Sequence, residues 1–204
     1  VLQSRGLGDV YKRQLLMHSH PMPIKSQSFN LHELLDTVLS FERSSHPGLR
    51  FTAYYDASLP DIEADRDKLH QVFLNLVRNA SEACPADGRV RVLTRHCAHW
   101  ELAGTNLDPT RRYILVSIED EGPGIPEELR KNIFKPLFST KKQGTGLGLS
   151  ISFRLVESHG GQLRYQPSEG SGACFQVILP ESQSEFLEEN SPNFVYQDLR
   201  KEIS

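Results

Sequence analysis

The sequence predicts an α/β fold, specifically a two-layer sandwich of helices packed on a mixed β-sheet. Helical and strand-like segments are intermixed along the chain, hairpin turns join some of the strands, and no internal repeat is visible. The chain has 204 residues, of which 38% are hydrophobic and 24% charged. That length and composition suit one globular domain with additional segments at its ends.

Each predicted element follows from a local pattern. Apolar residues at helical spacing predict helices over 29–45, 65–84, 127–134 and 148–161. Alternating or apolar runs predict strands over 50–59, 89–97, 111–121, 162–166 and 173–180. Asn30 is a suitable N-cap for the first helix. Residues 99–110 read as a polar hairpin or loop, and residues 167–172 as the turn of a closing hairpin.

The ends of the chain differ from the middle in composition. Residues 1–14 fit no structural pattern and are expected to be a non-native leader. Residues 15–27 begin with a short apolar helix end that Pro21 and Pro23 interrupt. Residues 181–204 carry six acidic and two basic side chains, a local charge of −4, and are expected to form a flexible tail or linker. The patterned domain therefore spans 28–180.

Composition argues against several classes of function. A net charge of −3 offers no basic surface for nucleic acid, and no apolar run approaches the roughly 18 residues of a membrane span. Cys84, Cys97 and Cys174 are scattered, so neither a disulfide framework nor a zinc site is expected. The sequence predicts a cytoplasmic chain that contacts neither nucleic acid nor membrane.

Two asparagines lie on the strongest predicted helix. Asn75 and Asn79 are four residues apart, so their side chains stack on one face at the edge of the apolar stripe. An amide oxygen suits Mg²⁺, although buried amides also hydrogen-bond to neighbouring backbone. Arg78 and Glu82, with the same spacing on the outer face, predict a solvated ion pair.

The first of two glycine-rich turns follows a strand that ends in Asp120. Its carboxylate can accept a hydrogen bond from an amine, while Gly122 and Gly124 allow a flat ligand to approach the backbone. An ordinary polar turn would have the same composition.

The second glycine-rich turn places Gly144, Gly146 and Gly148 directly before a helix. Backbone N–H groups at a helix N-terminus can hold an anion, and Lys141 and Lys142 stand just upstream. The segment is neither a Walker A loop nor a Rossmann fingerprint, because the required residues do not follow the glycines.

Four segments in order, HQVFLNLVRNASEA, DEGPGI, IFKPLFSTKK and GTGLGLSIS, resemble the N, G1, F and G2 boxes of sensor histidine kinases. The resemblance covers roughly residues 28–180 and is nearest to kinases of the nitrogen-regulation type. It implies the Bergerat-type ATP-binding fold shared with gyrase, Hsp90 and MutL, with ATP and Mg²⁺ as ligands.

The resemblance also implies roles for individual residues. Asn79 would bind Mg²⁺, Asn75 would be its catalytic companion, and Asp120 would accept from the adenine 6-amino group. Lys141 would contact phosphate and serve catalysis. The remaining nucleotide-binding residues would be Gly122, Gly124 and Ile125 around adenine, Phe134 and Phe138 as lid anchors or core residues, and Gly144, Thr145, Gly146, Leu147 and Gly148 in the lid and phosphate loop.

Two positions depart from the family pattern. Ala173 stands where relatives often have Thr, whose hydroxyl helps to bridge a water to adenine, so adenine affinity is expected to be somewhat lower. Glu82 stands where many relatives carry a base, so more of the phosphate charge falls on Mg²⁺ and Lys141.

Asn75 separates kinase from hydrolase. Hydrolases of this superfamily carry Glu at that position, and an amide cannot act as a general base. The resemblance therefore favours phosphoryl transfer to a histidine on a dimerisation domain, with residues 15–27 as the end of the dimerisation helix and a linker. An ATP hydrolase or chaperone-type module and a degenerate nucleotide-binding scaffold remain as alternatives.

The family resemblance also implies partners for this chain. The full-length protein would be a homodimer, and a response regulator receiver domain would take the phosphoryl group. His18, His20 and His32 lack the residues expected around the acceptor, so the acceptor histidine is expected to lie outside this chain.

Overall fold

The computed structural model describes residues 23–141, 144–168 and 172–181. Its elements in chain order are β1 (Gln27–Phe29), α1 (Leu31–Ser45), β2 (Arg50–Tyr55), β3 (Ile62–Ala64), α2 (Arg66–Ala83), β4 (Arg89–His96), a 3-10 helix (His99–Leu102), β5 (Tyr113–Asp120), α3 (Glu127–Arg130), α4 (Gly148–Ser158), β6 (Gln162–Pro167) and β7 (Ala173–Pro180). The predicted leader, the helix end with His18 and His20, Lys142, and the tail from residue 182 lie outside the described residues. None of the described helices combines the length and the apolar character that a membrane crossing requires.

Five strands form one mixed sheet in the order β2-β4-β5-β7-β6. β2 runs parallel to β4, and each of the other neighbouring pairs is antiparallel. This confirms the predicted fold class. A second, two-stranded sheet pairs β1 with β3, with Gln27 opposite Ala64. The sequence did not predict these two strands, because three residues are too few to show an alternating pattern.

Three helices cover one face of the large sheet, with α2 between α1 and α4. The apolar stripe predicted on α2 is buried against the sheet and the other helices. Part of the opposite face is covered by residues that follow β4, where Leu102 packs with Tyr113, Leu115 and Ile178. The fold is therefore a layer of helices on one face of a sheet, with α2 at its centre.

The boundaries of the predicted elements agree with the structure within four residues, and the differences of four residues are at the ends of β2 and α3. The helix predicted over 127–134 ends at Arg130. Beyond it the chain continues in tighter turns, with Asn132 N–H donating to Leu129 O and Lys135 N–H to Asn132 O. The tighter turns bring Ile133 and Phe134 to the core.

The segment predicted as a polar loop over 99–110 contains the 3-10 helix and a buried carboxylate. Glu101 accepts two hydrogen bonds from Arg95, at 2.6 and 2.7 Å, and a third from Ala98 N–H at 2.9 Å. The bonds from Arg95 hold the pKa of Glu101 below its ordinary value despite burial. This segment is therefore fixed on the sheet by a paired charge.

A buried histidine joins the end of α4 to the start of α2. His159 is fully buried, and its Nε2 accepts the Asp65 N–H at 3.1 Å while Nδ1 lies 2.6 Å from Leu155 O. Because Nε2 accepts, the proton is on Nδ1. Asp65 also caps α2 by accepting from Lys68 N–H at 3.1 Å, and its other oxygen accepts from Lys25 N–H at 3.0 Å.

This junction predicts acid sensitivity of the fold. Burial lowers the pKa of His159. Below the ordinary value of 6.5 this imidazole is therefore protonated in the unfolded chain but still neutral in the native state, until the pH reaches the lowered native pKa. The free energy of unfolding should therefore fall as pH drops from about 7.5 to about 5.5, measured by urea denaturation. His159→Gln should flatten this pH dependence, and the exposed control His99→Gln should retain it. An unchanged slope in His159→Gln would contradict the assignment.

Candidate functional site

A cavity of about 500 Å³ opens between the C-terminal half of α2, the end of β5 and the start of α4. It brings together eleven of the residues predicted for the nucleotide site: Asn75, Asn79, Asp120, Gly124, Ile125, Phe138, Lys141, Gly144, Thr145, Gly146 and Gly148. Both predicted glycine turns and both helix asparagines thus contribute to one cavity.

Three of the predicted residues do not line this cavity. Gly122 lies beneath it and donates its N–H to Asp120 Oδ1 at 2.8 Å. The Phe134 ring packs behind the cavity against Phe153 and Phe175, with centroids 5.2 and 6.4 Å away, which is the core role left open above. The Leu147 carbonyl accepts from the α4 backbone at Ile151 N–H.

Several residues that line the cavity were not predicted as site residues: Ala83, Pro123, Pro126, Leu129, Ile133, Ser139, Thr140, Leu149 and Phe175. Leu129 and Ile133 are four residues apart, and their apolar spacing was a usable signal. Phe175 lies two residues after Ala173 on β7, so both side chains point to the same face. The remaining residues of this set have no sequence pattern that distinguishes them.

Asp120 is the buried charged group of the cavity. Its Oδ1 accepts two backbone hydrogen bonds, from Gly122 at 2.8 Å and from Ala173 at 3.2 Å. Burial raises the pKa of this carboxyl, and the two N–H donors offset only part of that rise. Since Oδ1 is committed to the backbone, Oδ2 is the oxygen that a ligand can use.

Asn75 joins α2 to α4. Its Nδ2 donates to Ser152 Oγ at 2.9 Å, and its oxygen lies against the Cα of Gly148. A Cβ at Gly148 would overlap that amide oxygen. Any larger residue at the first position of α4 would therefore have to displace the asparagine side chain.

We expect Gly148→Ala to cost about 1–3 kcal/mol of folding stability because the added methyl group displaces the Asn75 amide. In an Asn75→Ala background the obstacle is absent, so the same Gly148→Ala change should cost clearly less. Thermal or urea denaturation of the four proteins of this double-mutant cycle measures the difference. Additive effects would show that the two residues do not compete for the same space.

Asn79 shares a cation with Glu82. The Lys141 ammonium donates to Asn79 Oδ1 at 3.3 Å and also contacts Glu82 Oε2. The ion pair predicted between Arg78 and Glu82 is therefore wrong. Arg78 instead bonds to the buried Glu42 on α1, with 3.4 Å between Nε and Oε1. Arg78 and Glu82 each pair with a residue outside α2, and the spacing of residues within one helix cannot predict such pairs.

In the segment between α3 and α4, the backbone near its C-terminal end packs against the backbone of Leu137. Gly146 has φ of +67°, and its Cα lies against the backbone of Leu137, which itself has φ of +65°. A side chain at Gly146 would be strained by the left-handed backbone conformation, and its Cβ would also overlap the Leu137 backbone. The two ends of the segment that carries Lys141 are therefore packed together.

Comparison with known sequences supports the resemblance. The family described as "Histidine kinase-, DNA gyrase B-, and HSP90-like ATPase" matches residues 64–183. The chain is 37% identical over 165 residues to the sensory histidine kinase/phosphatase NtrB of Azospirillum brasilense, covering 79% of this chain and 41% of that protein. It is 37% identical over 170 residues to the signal transduction histidine-protein kinase AtoS of Escherichia coli (strain K12), covering 82% of this chain and 26% of that protein. The chain thus spans less than half the length of these curated relatives.

Solved structures give the same assignment. The catalytic domain of histidine kinase ThkA matches with a TM-score of 0.67 and 32% identity, covering 79% of this chain and 99% of that domain. ThkA in complex with the response regulator protein TrrA matches with a TM-score of 0.66 and 29% identity, covering 89% of this chain and 50% of that one. The chain belongs to the family of histidine kinase-, DNA gyrase B- and HSP90-like ATPases, and within it to the ATP-binding catalytic domains of histidine kinases.

Proposed function

We propose that this chain binds Mg·ATP in the cavity described above and passes the γ-phosphoryl group to a histidine on a dimerisation domain. The observation that carries the proposal is the lining of this cavity, which combines the buried carboxylate of Asp120 with the side chains of Asn79 and Lys141. A buried hydrogen-bond acceptor and an ammonium group in the same cavity suit the base and the polyphosphate of a nucleotide.

The Asp120 end is proposed to bind adenine. The Oδ2 atom can accept from the 6-amino group, and Gly124, Ile125 and Phe175 supply narrow apolar walls around it. Ala173 lies beside Asp120 without a hydroxyl group, so recognition at this end rests on the carboxylate. The predicted role of Asp120 is consistent with this environment.

The region around Asn79 and Lys141 is proposed to bind the phosphates. Asn79 would hold Mg²⁺, and its amide oxygen suits the ion because it already faces an ammonium group. No cluster of three or more His, Cys, Asp or Glu side chains in the described parts of the chain could hold a metal, so the other ligands would be phosphate oxygens and water. When bound, Mg²⁺ neutralises charge that develops on the transferred group. Lys141, at the edge of the cavity, can turn from Glu82 toward the γ-phosphate.

Transfer is favoured over hydrolysis by the chemistry of Asn75. Its amide is bonded to Ser152 and has no basicity with which to activate water. The unprotonated nitrogen of a neutral histidine can attack directly: the N–P bond forms as the bond to the ADP oxygen breaks, ADP leaves with the electron pair, and the proton on the other ring nitrogen is released to water. The cavity then contributes positioning and charge neutralisation, which are the main requirements of phosphoryl transfer.

The acceptor histidine is proposed to lie on a separate dimerisation domain. His32 stacks on Tyr55 with ring centroids 4.5 Å apart, and its Nε2 is bonded to Thr94 Oγ1 at 2.9 Å, so it does not enter the cavity. The structural neighbour solved with response regulator TrrA supports a receiver domain as the downstream partner. A homodimeric full-length protein and a cytoplasmic location, where ATP is available and cysteines stay reduced, belong to the same proposal.

A transfer assay tests this function directly. The chain is mixed with ATP radiolabelled at the γ-phosphate, Mg²⁺, and a separately purified dimerisation domain from an NtrB relative. We expect label on the added domain, stable to base and labile to acid as a phosphohistidine is, and no label when its histidine is changed to alanine. Rapid release of inorganic phosphate without transfer would support an ATP hydrolase instead, and ATP binding with neither activity would support a scaffold.

A further inference from the structure

We propose that Arg130 and Tyr165 are positioning residues that fix the adenine-side wall of the cavity and thereby set its affinity for purine nucleotides. Neither residue lines the cavity. The proposal rests on the nucleotide-binding function proposed above and adds two residues to it, from α3 and from β6.

Both side chains hold the backbone of Ile125. Its N–H donates to the Tyr165 hydroxyl oxygen at 3.4 Å, and its carbonyl accepts from Arg130 Nε at 3.0 Å. The Ile125 side chain lines the cavity between Gly124 and Pro126, directly after the turn that carries Asp120. Two side chains outside the cavity therefore hold both backbone polar groups of a residue in its wall.

Arg130 and Tyr165 also contact each other, which closes the arrangement. The Arg130 guanidinium carbon lies 5.5 Å from the centre of the Tyr165 ring, within the range of a cation–π contact. The Tyr165 ring in turn meets the edge of Phe175, with centroids 5.7 Å apart, and Phe175 lines the same cavity. We call Arg130, Tyr165 and Ile125 the Ile125 brace.

The brace supports the part of the cavity wall that carries Ile125. A preorganised wall improves affinity because the ligand does not have to order it on binding. Asn79 and Lys141, which would hold Mg²⁺ and phosphate, contact neither Arg130 nor Tyr165 among the described hydrogen bonds and ion pairs. Loosening the brace should therefore weaken binding of the base and leave binding of the polyphosphate unchanged.

Calorimetric titration of the whole chain with Mg·ATP and, separately, with magnesium tripolyphosphate tests this. We expect the Kd for ATP to rise about 5-fold in Tyr165→Phe, which loses one long hydrogen bond, and about 20-fold in Arg130→Met, which loses a charged donor. The Kd for tripolyphosphate should stay unchanged in both. Arg130→Lys, which keeps the cation over the ring, should recover part of the ATP affinity. The fold increase in the Kd for ATP of the double variant should be smaller than the product of the increases in the two single variants.

Matched controls are Tyr54→Phe and Lys131→Met, which alter exposed side chains outside the cavity. Unchanged ATP affinity in Tyr165→Phe and Arg130→Met would overturn the brace. Equal losses for ATP and tripolyphosphate, accompanied by a lower melting temperature, would also overturn it, because they indicate a general structural role. A wild-type chain that binds no adenine nucleotide would refute the proposed function, whereas ATP binding that these variants leave intact would refute the brace alone.

Discussion

Asp120→Asn should lower ATP affinity by about 100-fold, because the variant presents an amide N–H where the adenine 6-amino group needs an acceptor. The new amide oxygen can keep the two backbone bonds from Gly122 and Ala173, so its NH₂ group must occupy the Oδ2 position. A donor would then face a donor. Calorimetric titration with Mg·ATP measures the loss, and the exposed control Asp87→Asn should bind as the wild type does.

The same substitution should leave the fold as stable as before, or more stable. Burial raises the pKa of Asp120, which means that its ionised form is disfavoured in the native state. The raised native pKa is a cost to stability at pH values above it, and this cost declines as acidification passes through the raised native pKa toward 3.8. Asparagine removes the charge and with it the cost. A large drop in melting temperature would show that Asp120 is a structural residue.

Asn79→Ala should abolish the contribution of Mg²⁺ to nucleotide binding. Because the variant lacks the amide oxygen proposed as the metal ligand, its ATP affinity with Mg²⁺ should equal its affinity in the presence of a chelator. Phosphoryl transfer to a supplied dimerisation domain should fall by about 100-fold or more, since metal neutralisation of phosphate charge is a main source of the rate.

Gln71→Ala is the matched control for this experiment, because it removes an amide from the exposed face of the same helix. Its affinity, metal dependence and transfer rate should match the wild type. If Asn79→Ala kept the full enhancement of ATP affinity by Mg²⁺, the metal would have to be held elsewhere, and the proposed role of Asn79 would be wrong.

The parts of the site that could be predicted depend on spacing within one element. Asn75 and Asn79 share a helix face, and Asp120 ends a strand before glycine, so their convergence followed from the pattern and the family resemblance. The strands of the mixed sheet could likewise be predicted, because strands of six to eight residues are long enough to show an alternating or apolar pattern.

Contacts between elements distant in sequence could not be predicted. Glu82 bonds to Lys141, and Arg78 bonds to Glu42, although Arg78 and Glu82 have the spacing of an ion pair. The short β1–β3 sheet pairs Gln27–Phe29 with Ile62–Ala64, and neither segment has a strong pattern of its own. Such pairings depend on the folded geometry.

Binding of adenine nucleotide to the folded chain tests the proposed function most directly, because phosphoryl transfer depends on it. Titration with ATP, ADP and GTP, each with Mg²⁺ and with a chelator, should give saturable one-to-one heat for the adenine nucleotides, tighter binding of ATP when Mg²⁺ is present, and weaker binding of GTP. Folded protein, verified by near-ultraviolet circular dichroism, that released no heat with ATP at millimolar concentration under either condition would contradict the account.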